Sequence, residues 1–116
     1  MKLKTSSGEI HFNLQTISHV HLNTDGSLLT VHFTEGTHFG FDAESDDDRA
    51  FFADFLAKLT EESGGFVAIG HEVLNLKAAL WISIPADEPI QIRLGDSRTR
   101  IVDDKDRERI VKLLAE

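Results

Sequence analysis

Two stretches of this chain follow the same plan, and a duplicated plan leaves few folds open. Phe12-Asn13-Leu14 returns 62 positions later as Leu74-Asn75-Leu76. A turn signal follows each, Asp25-Gly26 in the first copy and Asp87-Glu88-Pro89 in the second. Each then offers a returning strand, a hairpin, a third strand, an acidic helix start and an apolar helix. The likeness is one of pattern, with few identities. It predicts an α+β fold of two βββα pseudo-repeats, antiparallel sheet packed against two helices. The repeats span residues 9–62 and 66–115 of a single domain covering 1–116, a length that buries a core without staples.

Local signals place the elements. Ile10-His11-Phe12-Asn13-Leu14 alternates like a half-buried strand, and so do residues 18–23, with Val20 and Leu22 on one face and His19 and His21 on the other. Asp25-Gly26 reads as a two-residue hairpin turn, and Thr34-Glu35-Gly36 as a three-residue loop with glycine in the left-handed position. Leu29, Val31, Phe33, Phe39 and Phe41 are expected to point inward. Ser45 is the expected N-cap of a helix whose first turn carries Asp46, Asp47 and Asp48, where carboxylates meet the positive end of the helix dipole. Ala50, Phe51, Phe52, Phe55, Leu56 and Leu59 make its apolar stripe, and Ser63-Gly64-Gly65 ends it. In the second copy Phe66-Val67-Ala68-Ile69 leads to a long strand region with Leu74, Leu76, Ala78, Leu80, Ile82 and Ile84 on one face. Ile90, Ile92 and Leu94 return, the Gly95-Asp96-Ser97 turn follows, and Thr99 and Ile101 close the sheet. Asp103 caps a last helix with Ile110, Val111 and Leu114 turned inward.

The charge is uneven. The net charge is −8; residues 1–62 hold 4 basic and 11 acidic side chains, residues 63–116 hold 8 and 9. Phosphate recognition wants a basic face, which only the second half could supply. With no cysteine, disulfides and thiolate chemistry are excluded. No membrane-length apolar run or signal-type segment is present, so the expected location is cytoplasmic.

Register turns spacing into candidate sites. The two hairpins predict His19 opposite His32 and His32 opposite His38, a histidine row across three strands. Such a row could hold a divalent metal; a polar outer sheet face that tolerates histidine is the plainer reading. In the second copy Trp81, Arg93 and Arg100 occupy the corresponding region, joined by Lys77 and Arg98. Trp81, Arg93, Arg98 and Arg100 therefore form the candidate partner-binding surface, for an aromatic among arginines can anchor a protein or stack a base. Simple cation–π cover of a sheet face is the alternative. The acidic run 42–48 lacks the glycine and glutamate of an EF-hand loop, and helix capping accounts for it. No phosphate loop, nucleophile elbow or zinc-protease motif is present. No catalytic residue and no cofactor is assigned.

The order of elements resembles the LytTR-type DNA-binding domain of bacterial response regulators. Residues 17–41 resemble that family's opening strands. Residues 66–76 resemble its central motif, Phe-x-Arg-x-His-Arg-Ser-x-x-Val-Asn-Leu, one residue shorter. Phe66, Asn75 and Leu76 agree, while Ala68 stands at the arginine position and Gly70-His71-Glu72 at the His-Arg-Ser positions. The resemblance implies a mostly β fold that contacts DNA major grooves through loops. The sequence as a whole favours a non-enzymatic interaction or regulatory module with a protein partner. Double-stranded DNA binding and metal binding by the histidine row are the alternatives, and an open sheet edge offers a route to a homodimer.

Overall fold

A computed structural model describes residues 1–62, 64–96 and 98–115. Ser63 of the expected helix stop, Ser97 of the expected turn and the Glu62 side chain lie outside the described set. Strands β1 (Lys2–Thr5) and β2 (Gly8–His11) form a hairpin, and a 3-10 turn at Leu14–Thr16 follows. A meander of β3 (Ile17–Leu22), β4 (Leu28–Phe33) and β5 (His38–Asp42) leads into helix α1 (Asp46–Glu62). The same order then repeats: hairpin β6 (Phe66–Ile69) and β7 (Glu72–Asn75), 3-10 turn Leu76–Ala78, meander β8 (Trp81–Ser83), β9 (Ile90–Arg93) and β10 (Thr99–Val102), and helix α2 (Asp104–Ala115). The plan of each copy is thus hairpin, 3-10 turn, meander, helix, and in the first copy it reaches back to Lys2.

The 62-residue echo has a physical cause. Asn13 and Asn75 each cap a 3-10 turn, their side-chain oxygens accepting from Gln15 N at 3.1 Å and from Lys77 N at 3.1 Å. The capped turn breaks the strand and redirects the chain into the meander. The expected strand over residues 10–14 therefore stops at His11, and the expected run from Leu74 to Ile84 is interrupted at Leu76–Ala78. Asn75 does more than its counterpart. It is buried, and its amide donates to the Ile17 carbonyl at 2.9 Å, bonding the second copy to the first.

The strands of the described residues divide into three antiparallel sheets: β1-β2, β10-β9-β8, and a five-stranded sheet in the order β5-β4-β3-β7-β6. The last joins the copies, since β7 of the second pairs with β3 of the first through His19↔Leu74, Val20↔Val73 and His21↔Glu72. Both faces of this sheet are used. On one, Val20, Leu29, Val31 and Val73 pack with Phe52, Phe55 and Leu59 of α1 and with Leu3 of β1. On the other, Val67 and Leu74 pack with Ile90, Ile92, Leu94, Val102 and Ile110. Period-two alternation makes this division, sending odd and even residues of one strand into different cores.

Local chemistry fits the elements. Ser45 caps α1, its hydroxyl accepting from Asp48 N at 3.3 Å. Gly26 and Gly36 take the positive φ their hairpins require, +76° and +103°. Asp48 does not act as a dipole partner alone. Its carboxylate is buried and accepts from Glu44 N and Ser6 N at 2.8 Å each and from the Ser6 hydroxyl at 3.1 Å, fastening the β1–β2 turn to the start of α1. These hydrogen bonds, from Glu44 first and Ser6 next, hold its pKa below the usual carboxylate value.

Several residues expected inside are outside. Phe39 lies on edge strand β5, past the reach of α1, and is 61% exposed. Leu80 and Ile84 flank β8 and are exposed, as are Ala50, Val111 and Leu114 on their helices. Ile101 is exposed because it alternates with Arg100 and Val102, which take the inner face of β10. Asn75→Ala is expected to cost about 1–3 kcal/mol, because it removes a cap and strands the buried Ile17 carbonyl. Asn75→Asp keeps the cap acceptor and should recover part of that loss in urea unfolding.

Candidate interaction site

The predicted registers are present: His19 pairs with His32, Val20 with Val31, His32 with His38 and Val31 with Phe39. The histidine row continues beyond its expected end through Leu74 and Val67, crossing all five strands. Burial grades along it, from exposed His38 to buried His19 and on to the second core. The rings stack rather than converge. His19 and His32 lie 4.1 Å apart between centroids and 9° from parallel, and His38 lies 5.3 Å from His32. Imidazole lone pairs lie in the ring plane, so one ion cannot sit in two parallel planes at a ligand distance of about 2.1 Å. Among the described residues no group of three or more His, Asp or Glu side chains is arranged to hold a metal ion.

What the row faces was not visible in the sequence. Arg100 is buried; its Nε and Nη2 donate to Glu72 of β7 at 3.1 and 3.0 Å, and its Nη1 to Asp96 at 2.7 Å and the Arg98 carbonyl at 3.1 Å. Arg98 also hydrogen-bonds Glu72. His19 completes the cluster, with Nε2 3.6 Å from Asp96 and Nδ1 sharing a 3.2 Å hydrogen bond with Ser18. Planar guanidinium and carboxylate match in a paired geometry that lysine cannot reproduce. The cluster spans the copies, joining the five-stranded sheet to the β9–β10 loop.

Each charge is tuned by the others. Burial works against the Arg100 cation, but Glu72 and Asp96 outweigh it and raise its pKa. Burial would raise the Asp96 carboxyl, yet hydrogen bonds from Arg100 and Arg98 N bring it to about 2. Glu72 is likewise lowered, burial being overcome by Arg100. His19 drops to about 4, chiefly through burial and then through its neighbours His32 and Arg100. It is neutral at pH 7, so its contact with Asp96 is polar rather than ionic. His32 is lowered by burial and by His38.

The expected partner surface divides in two. Trp81 pairs with Arg93 and Arg93 with Thr99, so Thr99 and not Arg100 completes the row matching His19, His32 and His38. Arg100 pairs with Ile92 on the opposite, inner face. The one-residue difference changes the face, because side chains alternate along a strand. Arg98 also turns to Glu72. Trp81 and Arg93 thus stand apart from Arg98 and Arg100, and the four do not form one surface. Trp81 is 45% exposed, Ile101 shares its face at 65% exposure, and Arg93 donates to the Thr99 hydroxyl at 2.9 Å. Glu72, Asp96 and Asn75 are the residues that sequence reasoning missed; only Asn75 had a signal, its 62-residue echo of Asn13.

No protein-family model and no curated protein matches the chain. Among solved structures it is similar to the LytTr DNA-binding domain of a protein described as a methyl-accepting/DNA response regulator from Bacillus cereus. The TM-score is 0.59 at 14% identity, with 100% of this chain and 96% of that one covered. The fold is therefore of LytTR type. No described helix is long and apolar enough to cross a membrane.

Two tests follow from the cluster. Arg100→Met leaves Glu72 and Asp96 without their main partner and is expected to cost about 2–4 kcal/mol, toward the lower side for a pair open at its rim. Arg100→Lys should restore only part in urea unfolding. The second concerns acid. Folded His19 stays neutral down to about pH 4, whereas the unfolded imidazole takes its proton near 6.5. The unfolded state then holds the extra proton, so stability should fall as pH drops from about 6.5 to about 4. A His19→Gln/His32→Gln variant should show a flatter melting-temperature profile across that window; an unchanged slope would refute the assignment.

Proposed function

We propose that the chain is a non-enzymatic interaction module on a LytTR-type scaffold, binding a protein partner through the second meander around Trp81. The observation that carries this is a contrast within the second copy. Leu80, Trp81 and Ile101 are exposed, while the arginines that could meet phosphate are engaged within the chain. Arg100 and Arg98 bind Glu72, Arg109 binds Asp106 and the Ala68 carbonyl, and Arg107 binds the Pro85 and Glu88 carbonyls. Exposed aromatic and aliphatic side chains are what protein interfaces bury at their centres. A net charge of −8 repels a polyanion.

Double-stranded DNA binding is the second reading. It is supported by likeness in fold, along the full chain, to a domain described as DNA-binding. Lys77, Lys105 and Lys112 are the exposed lysines of the second half that such binding would use.

A gel-shift series with mixed-sequence duplex separates the two. No complex is expected at low salt; one that weakens steeply with added salt would mean phosphate neutralisation and favour the DNA reading. On the protein side, Trp81→Ala and Ile101→Ser should lose a partner that the wild type retains in pull-downs from native extract. Their unfolding free energies should stay within about 0.5–1 kcal/mol of wild type, as at exposed positions. Equal retention by both variants would rule this face out.

A further inference from the structure

The duplication identifies what fits the open edge of β8. Within the chain, each meander begins with a strand that follows a capped 3-10 turn: β3 in the first copy and β8 in the second. The far edge of β3 is filled by β7, from the hairpin of the next copy. The far edge of β8 is open, because its sheet ends there in the order β10-β9-β8. The first copy's hairpin, β1-β2, is meanwhile a sheet of two strands, with no third strand beside β2 among the described residues. One copy has an unfilled socket and the other an unplaced plug.

Burial at equivalent positions marks the socket. Ser18 and His19, beside β7, are 6% and 3% exposed; their counterparts 62 residues on, Leu80 and Trp81, are 68% and 45% exposed. The difference is not one of polarity, since the exposed pair is the more apolar. It is the difference between a covered strand and an uncovered one.

Backbone parity agrees. Leu22 N bonds the His71 carbonyl at 3.3 Å, so by antiparallel alternation Val20 and Leu22 present their backbone groups to β7, and His71 and Val73 answer them. The equivalents are Ile82 and Ile84 on β8, with Glu9 and His11 on β2. Those two β2 residues do face outward. Met1 and Phe12 exchange hydrogen bonds at 3.2 and 2.8 Å, which places Phe12, Ile10 and Gly8 in the bonded pairs of the β1–β2 ladder and turns His11 and Glu9 to the open edge. Donors and acceptors on the two open edges therefore stand in the same phase as those already joined between β3 and β7. The lengths match too, for β7 meets β3 over three paired residues and β8 has three.

We infer that β8 pairs with β2 of a second copy of this chain, repeating between molecules the β3–β7 junction within one. The inference rests on the reading of the second meander as a protein-binding surface and names the partner. The contact is heterologous, one edge against a different edge, so it propagates head to tail unless the rotation closes a ring. Its register follows from the internal junction: His19↔Leu74 and His21↔Glu72 become Trp81 opposite Phe12 and Ser83 opposite Ile10 of the neighbour.

The test uses the absence of cysteine from the chain. Wild-type protein is followed by light scattering from micromolar to near-millimolar concentration, and a Ser83→Cys variant is mixed with an Ile10→Cys variant under mild oxidation. Particle mass is expected to rise at least twofold with concentration, and the mixture to yield a disulfide-linked heterodimer. Glu88→Cys mixed with Ile10→Cys should yield none. His11→Pro, which removes an outward N–H and no internal ladder bond, should abolish the rise while its circular dichroism stays that of the wild type. A wild type that stays monomeric, with no disulfide from the Ser83→Cys and Ile10→Cys mixture, overturns the inference. So does self-association that His11→Pro leaves intact, since another surface would then be responsible. In either case a foreign partner lost by Trp81→Ala would leave the broader protein-binding reading standing, and retention of every partner would remove that as well.

Discussion

The antiparallel junction of β3 with β7 is the constraint on which the rest of this structure depends. It converts two similar units into one five-stranded sheet whose faces serve different cores. Asn75 reinforces it at one end, through the Ile17 carbonyl, and the Arg100–Glu72–Asp96 cluster reinforces it at the other. Neither reinforcement is apolar. Between hydrophobic layers such polar ties fix relative position, because an alternative register would leave buried donors and acceptors unmatched.

That arrangement explains why the copies diverged on the surface. In the first copy the row on one face of the meander runs beside β7 and under the charged cluster, where stacked neutral imidazoles fit a half-covered polar setting. The corresponding row of the second copy, Trp81, Arg93 and Thr99, has no such neighbour and stands open. The same strand position therefore meets two environments, and the residues follow the environment rather than the repeat.

What could be read from the sequence was what alternation and turn chemistry determine. The pairings of His19 with His32 and of Val31 with Phe39 follow from two hairpin loops, because a one-residue slip would have turned Val20 and Val31 out of the core. Which of those faces is covered was less legible. Phe39 and Ile101 on their strands, and Leu80 just before β8, carry apolar side chains that the packed elements leave exposed, and no local pattern records where that cover stops. Arg100 was misplaced for a different reason: the expected turn at 95–97 already sets Thr99 opposite Arg93, and the ladder keeps that register, so Arg100 falls on the inner face. The Lys2–Thr5 strand was missed because lysines flanking Leu3 look like a solvated terminus, although Leu3 is wholly buried. The interruption at Asn75 was hidden inside a run of leucines.

The separation of β3 from β7 along the chain has a bearing on how this protein is made. Some fifty residues lie between them, so a ribosome releases β3, β4, β5 and α1 well before the strand that completes their sheet. Through that interval the β3 edge is bare, and so is the face that the second core will cover. The first copy is thus a nascent chain with a sticky border until its sister emerges. The acidic bias of that copy, 11 acidic against 4 basic side chains in residues 1–62, opposes contact between such half-made chains through charge repulsion.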